Sequence, residues 1–229
     1  GIVNDMAGLK DLCAEFEVKL CCDCISSVGT VPVDLTGVYL ASCASGKGLR
    51  SYPGVSIVFY HHDLSSQVQG QMENQCTGSA PSPPLPRYLD LSYNEAQQGI
   101  PFTFSSNLLH ALHAALKRVS WEKHFQELRE LSAWVRPKLR ELGFELIGPD
   151  AVCSPAVITV ALPPDLDSVK ISNLIQEAGY LLSFNSEYLR SRNWIQICFM
   201  GECAKEKVVS LLSTLNRVRG RMGKRTHTT

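Results

Sequence analysis

The sequence predicts an α/β fold, a mostly parallel sheet in the first part of the chain and a smaller α+β unit in the second. Three observations carry that prediction. The first third alternates a helical apolar stripe with short, nearly continuous apolar runs. Two long stripes at three-to-four spacing then read as consecutive helices. The last third reads strand, helix, strand, helix.

Residues 5–16 place Met6, Leu9, Leu12, Cys13 and Phe16 at helical spacing. Residues 18–22 form a short apolar run of the kind buried on both faces of a parallel sheet, and residues 37–41 and 55–60 are two more. From Asp63 to Pro101 the composition turns polar and then proline-rich (SAPSPPLP), a mobile excursion over about 63–101. Ser105 and Ser106 are candidate N-caps for a helix whose stripe is Leu108, Leu109, Leu112, Ala115, Leu116 and Val119. A second helix over 121–142 carries Phe125, Leu128, Leu131, Val135 and Leu139, with Pro137 expected to kink it or end a turn. Residues 156–162 and 194–199 read as strands, 167–178 and 204–218 as helices, and the basic terminus RVRGRMGKRTHTT as frayed. The division expected is residues 1–104 for the larger unit and 105–229 for connecting helices plus the smaller one.

The 229 residues are 45% hydrophobic and 19% charged, which supplies a core and argues against disorder. Formal net charge is +0, so no global field draws the chain to nucleic acid or acidic membranes. The apolar runs are too short to span a bilayer, and residues 1–16 lack the pattern of a signal peptide. Nine cysteines, an odd number at uneven spacing, fit reduced thiols in the cytoplasm better than a disulfide framework. Cys21, Cys22 and Cys24 lack a second ligand pair for zinc and read as small strand hydrophobes. His61 and His62, adjacent in an extended segment, are expected to point apart. His110 and His113 share a helix face without a carboxylate partner, and SGKGL lacks the GxxxxGK[ST] phosphate loop.

Two residues concentrate chemistry. Asp23 ends the apolar run KLCCD, and Lys47 follows the run GVYLA among small neighbours, ASCASGKGL. In parallel α/β sheets ligands sit beyond the carboxyl ends of strands, where both residues fall. A carbonyl cofactor such as pyridoxal phosphate needs a lysine amine for a Schiff base and a carboxylate to keep its ring nitrogen protonated. Ala44, Ser45, Gly46 and Gly48 would let a flat ring and its phosphate approach the backbone.

CDCISSVGTVPVDL followed by YLASCASGKGLRSYPGVSIVFY resembles the central segment of class V aminotransferases, pyridoxal-phosphate enzymes of fold type I. The shared pattern is a strand ending in Asp, a Ser-rich turn with Gly and Pro, a strand, the Lys–Gly–Leu site, and a Pro-Gly pair before another strand. The likeness is to alanine– or serine–glyoxylate and 2-aminoethylphosphonate–pyruvate aminotransferases. It runs from Gly1-Ile2-Val3-Asn4 to the last helix and matches the C-terminal portion of that family. The fold implied is a partial fold type I large domain followed by the small C-terminal domain. The resemblance implies a pyridoxal 5'-phosphate enzyme that moves an amino group from a small amino acid to a 2-oxo acid, as a homodimer with composite sites. Lys47 would carry the Schiff base and shuttle the proton, Asp23 would pair with the pyridinium nitrogen, and Ile25 would pack on the ring. Ser45 would lie beside the cofactor, and Thr103 matches a threonine that reaches a neighbouring subunit's cofactor phosphate.

The pattern also departs from the family. Its late strand reads Leu-Arg-Ile-Gly, the arginine forking onto the substrate carboxylate, where this chain has Ile195-Gln196-Ile197-Cys198. Gln196 offers hydrogen bonds without a guanidinium fork, so either the substrate differs, or Arg190 or Arg192 nearby substitutes, or the site has decayed. Gly46 replaces a polar residue near the cofactor phosphate, and the family's phosphate-cradling glycine turn and stacking aromatic precede the matched segment. The alternative is a truncated or degenerate homologue that serves as a dimerising or interaction module. A cysteine desulfurase or lyase ranks lower, because those place His where Gly46 stands. Exposed strand edges and apolar faces predict poor solubility.

Overall fold

A computed structural model describes residues 1–63 and 86–223, with side chains to residue 220. The first helix, α1 (Met6–Glu15), starts where predicted: Asp5 Oδ1 accepts the Gly8 N–H at 3.1 Å. Its stripe stays largely open, with Leu9, Leu12 and Phe16 exposed.

The first sheet has the order β1-β2-β3, from β1 (Cys21–Asp23), β2 (Leu40–Ala44) and β3 (Ser56–Tyr60). Strands β1 and β2 begin three residues later than the apolar runs suggested, for local reasons. Val18 N–H bonds back to Cys13 O at 2.8 Å to close the end of α1, and Glu17 takes φ +52° there. Gly37, at φ +76°, turns the chain just before β2. β1 and β2 are parallel, with Asp23 beside Ser42. β3 runs antiparallel to β2, so the three runs are not one parallel set. The chain between Ala44 and Ser56 holds no crossover helix and simply turns back.

Burial on both faces does not hold either: β2 buries Ala41 and Cys43 and leaves Leu40, Ser42 and Ala44 half-covered. Leu49, Val55 and Leu112 pack with Cys43, while Cys24 and Val38 pack with Ala41.

Most of the excursion expected over 63–101 lies outside the described residues. Its final part is helical instead: α2 (Leu91–Ala96) is capped by Asp90, whose side chain accepts from the Ser92 and Tyr93 amides. Helix α3 (Ser106–Arg118) follows Ser105, whose side chain makes no capping bond. It packs on the first sheet through Leu112 and Leu108 and leaves Leu109 and Leu116 exposed. Helix α4 (Trp121–Glu141) runs through Pro137, which is exposed near its C-terminal end.

The second sheet has the order β4-β5-β6 and is antiparallel throughout, from β4 (Glu145–Leu146), β5 (Val157–Ala161) and β6 (Trp194–Cys198). Helix α5 (Ser168–Glu177) is capped by Asp167, which accepts the Lys170 N–H at 2.7 Å. A short α6 (Glu187–Ser191) precedes β6, and α7 (Lys205–Gly223) continues through much of the basic stretch expected to fray. The main core forms here, from Val135, Leu139, Ile158, Ile171, Ile195 and Leu215. Residues 1–3 cross to this unit: Val3 N–H donates to Val152 O and Ser154 N–H to Gly1 O, both at 2.8 Å.

Candidate active site

The parallel pairing of β1 and β2 brings the ends of both strands to one edge. Asp23, the last residue of β1, is exposed; its Oδ1 accepts the Ile25 N–H at 2.9 Å and the Ser42 hydroxyl at 3.4 Å. The chain then turns tightly, Thr30 Oγ1 donating to Ser26 O and Ser27 O at 2.8 and 3.0 Å. That turn presents Ser26 to Lys47, whose Nζ donates to Ser26 Oγ at 2.9 Å. Lys47 is exposed and Ile25 half-buried, so an amine, a carboxylate and an apolar side chain share one open edge.

The small residues around Lys47 have their own structural reasons. Ser45 is fully buried; its hydroxyl donates to Tyr52 O at 2.7 Å and accepts from Val55 N–H at 3.1 Å, tying the lysine turn to the start of β3. A Cβ on Gly46 would meet Pro53 Cβ at 2.7 Å. One on Gly48 would meet the Val28 carbonyl at 2.2 Å, and Gly29, at φ +81°, lies against Gly48 in turn. At Gly46 and Gly48 the room is taken by the chain itself, which also explains why no polar side chain stands at Gly46.

Strand β6 approaches from the other unit. Cys198, at its end, keeps solvent contact yet is crowded by protein; burial pushes its thiol up, while the amino terminus and Lys47 pull it the other way. Gln196, one pleat earlier, donates from Nε2 to Thr159 Oγ1 at 3.1 Å, and its backbone exchanges two hydrogen bonds with Ser183. Its amide is engaged within the sheet.

Arg192 lies at the opposite end of β6, stacked 4.1 Å over Tyr188 and 5.4 Å from the Trp194 ring. The guanidinium is thus held by the two rings beside the start of β6. Arg190 is an exposed residue of α6, and no described contact joins it to Lys47. Thr103 is exposed in the coil between α2 and α3.

Two residues that the pattern did not single out adjoin the lysine turn, Arg50 directly and His124 behind it. Arg50 N–H closes a turn onto Lys47 O at 2.9 Å, and Arg50 Nη1 lies 3.5 Å from Nδ1 of the buried His124. Only the position of Arg50 three residues after Lys47 hinted at it. His124 looked like one more residue of a helical stripe.

Among the described residues the metal-ligating side chains gather only as His61, His62 and Asp63, whose donor atoms lie within 4.8 Å of one another. The two imidazoles stack at 4.1 Å instead of pointing apart, because Asp63 takes both. The cysteines of the first sheet hold no metal-type cluster; Cys24 and Cys43 are buried, free, and pushed up by burial.

No family model matches the chain. It is 28% identical over 191 residues to a 2-aminoethylphosphonate–pyruvate transaminase of Paraburkholderia phymatum, covering 80% of this chain and 49% of that one. Against an alanine–glyoxylate aminotransferase of Rattus norvegicus the identity is 26% over 180 residues, covering 71% and 40%. The chain therefore spans about half the length of the curated relatives it matches. The crystal structure of an alanine–glyoxylate aminotransferase from Nostoc sp. matches with TM-score 0.75 and 26% identity, over 92% of this chain and 56% of that one. A ureidoglycine–glyoxylate aminotransferase from Bacillus subtilis shares the fold at TM-score 0.81 and 20% identity, over 97% and 58%. The chain is thus similar, over most of its length, to part of the class V aminotransferases and has part of their fold type I architecture.

Proposed function

We infer that the chain is part of a pyridoxal-phosphate-dependent aminotransferase that moves an amino group from a small amino acid to a 2-oxo acid. One observation carries this reading: the Lys47 amine and the Asp23 carboxylate stand exposed at the same edge of the first sheet, after neighbouring parallel strands. When bound, the cofactor supplies an aldehyde for a lysine amine and a ring that draws electrons from the substrate carbon.

The residues present fit that group. Asp23 has one oxygen committed to Ile25 N–H and Ser42, which fixes the carboxylate that would hold a protonated ring nitrogen. Ile25 offers an apolar wall beside it. Ser26 Oγ accepts from Lys47 Nζ and so parks the amine. A freed Lys47 amine can take a proton from one substrate carbon and return it to another position. Ser45 acts from beneath, holding the turn that carries the lysine. Thr103 stands exposed, open to the neighbouring copy of a homodimer.

Every described cysteine is free, which supports a reducing compartment such as the cytoplasm. No helix among the described residues is long and apolar enough to cross a membrane. Mixing the protein with pyridoxal phosphate should give a visible imine band, and borohydride should then fix the adduct on Lys47 for mass mapping. An unchanged band in Lys47→Ala overturns the assignment. The engaged amide of Gln196 favours the second reading, a non-catalytic dimerising module, and an absent band in the wild type would select it.

A further inference from the structure

With Gln196 tied to Thr159 and Arg192 stacked at the far end of β6, neither is placed to receive a substrate carboxylate beside Lys47. A different arginine faces the cavity that Lys47 lines. This cavity, about 640 Å³, opens between the lysine turn, α3 and the segment after β6, with Arg50, Tyr52, Arg118 and Glu202 also on its walls.

Three features distinguish Arg50. Its backbone sits at φ +60°, a left-handed conformation that a non-glycine residue holds only when its surroundings impose it. Its guanidinium is supported from behind by a neutral acceptor. His124 Nε2 lies 3.1 Å from Gly29 O, so that nitrogen carries the hydrogen and Nδ1 turns its lone pair toward Arg50 Nη1. Burial, and then the Arg50 cation, lower the His124 pKa, which keeps the ring neutral. The described carboxylate on Arg50 comes from the solvent side: Glu202 Oε1 lies 3.4 Å from Nη2, with side-chain exposures of 19% for Arg50 and 80% for Glu202. A mostly buried cation thus meets an acid that swings freely into water. Little holds Glu202 there against an incoming anion.

We propose that Arg50 is the carboxylate-recognising residue of the Lys47 cavity, with Glu202 as a displaceable internal stand-in for the substrate carboxylate and His124 as a positioning residue. Arg118 adds positive charge to the same wall. This rests on the aminotransferase reading for the identity of the substrate, while anion binding itself is measured independently.

Pyruvate is the probe, titrated calorimetrically into the full chain saturated with pyridoxal phosphate. Arg50→Gln should weaken binding about tenfold or more, as loss of a charge-assisted fork does. Glu202→Gln should tighten it several-fold, a gain that misfolding cannot produce. His124→Gln, which can still donate to Gly29 and accept from Arg50, should keep wild-type affinity, whereas His124→Phe should lose it. The visible cofactor band should persist in Arg50→Gln and Glu202→Gln. Wild-type affinity in Arg50→Gln, no tightening in Glu202→Gln, or no pyruvate binding by the wild type overturns the proposal. So does loss of the cofactor band in Arg50→Gln alone, which would assign the arginine to the cofactor's phosphate. A wild type that binds pyruvate but shows no cofactor band sinks the aminotransferase reading and leaves the anion site standing.

Discussion

His124 illustrates how a single buried side chain couples to pH. Its folded pKa is lowered from 6.5, first by burial and then by the Arg50 cation. The unfolded chain therefore binds the proton more readily. The stability that neutral His124 contributes is complete above pH 6.5 and is lost as pH falls toward the lowered folded value. Urea midpoints measured from pH 8 to pH 5 should fall more steeply for the wild type than for His124→Gln; parallel curves would refute the linkage. Gly48 makes a second residue-scale prediction. A methyl group there must displace the Val28 carbonyl, so Gly48→Ala should cost about 1–3 kcal/mol in a urea titration. Asp23 and Lys47 were legible as a pair because one ends an apolar run and the other follows the next run among small residues. Arg50 and His124 were not, since an arginine in a loop and a histidine on a helix have no local signature. Their contact joins residues 74 positions apart.

The same division holds for whole elements. Helices α3, α4 and α5 follow from apolar spacing, and α5 also from its Asp167 cap, although α3 fully buries only Leu112 of its stripe. β4 and α6 were missed because two and five residues are too few to establish a period. The direction of β3 depends on how the lysine turn folds back, which is tertiary information. Burial separates two leucines that look equivalent in sequence. Leu139→Ala, deep in the main core, should cost about 2–5 kcal/mol of unfolding free energy. Leu109→Ala, on the open side of α3, should stay within about 0.5 kcal/mol. Equal losses at the two sites would mean that α3 is covered in solution.

Across the whole molecule, apolar side chains remain in water at several places: Leu12 on α1 and Phe16 just after it, Phe59 on β3, Phe102 and Phe104 before α3. Among the described residues β1 and β3 stand at the two edges of the first sheet. Apolar side chains so placed should lead the chain to associate with itself or with other protein surface. Sedimentation velocity should show concentration-dependent species, and a sharp monomer with one cooperative melt would contradict that expectation.

The close approach of Gly29 and Gly48 has a dynamic corollary. The turn that carries Ser26 and the turn that carries Lys47 approach backbone to backbone at Gly29 and Gly48, with the Thr30 methyl packed beside them. Displacing one turn therefore presses on the other. The distance between the backbone at Asp23 and the backbone at Lys47 is thereby set when the chain folds, so a ligand bridging the two must order the exposed lysine side chain but need not move the strands.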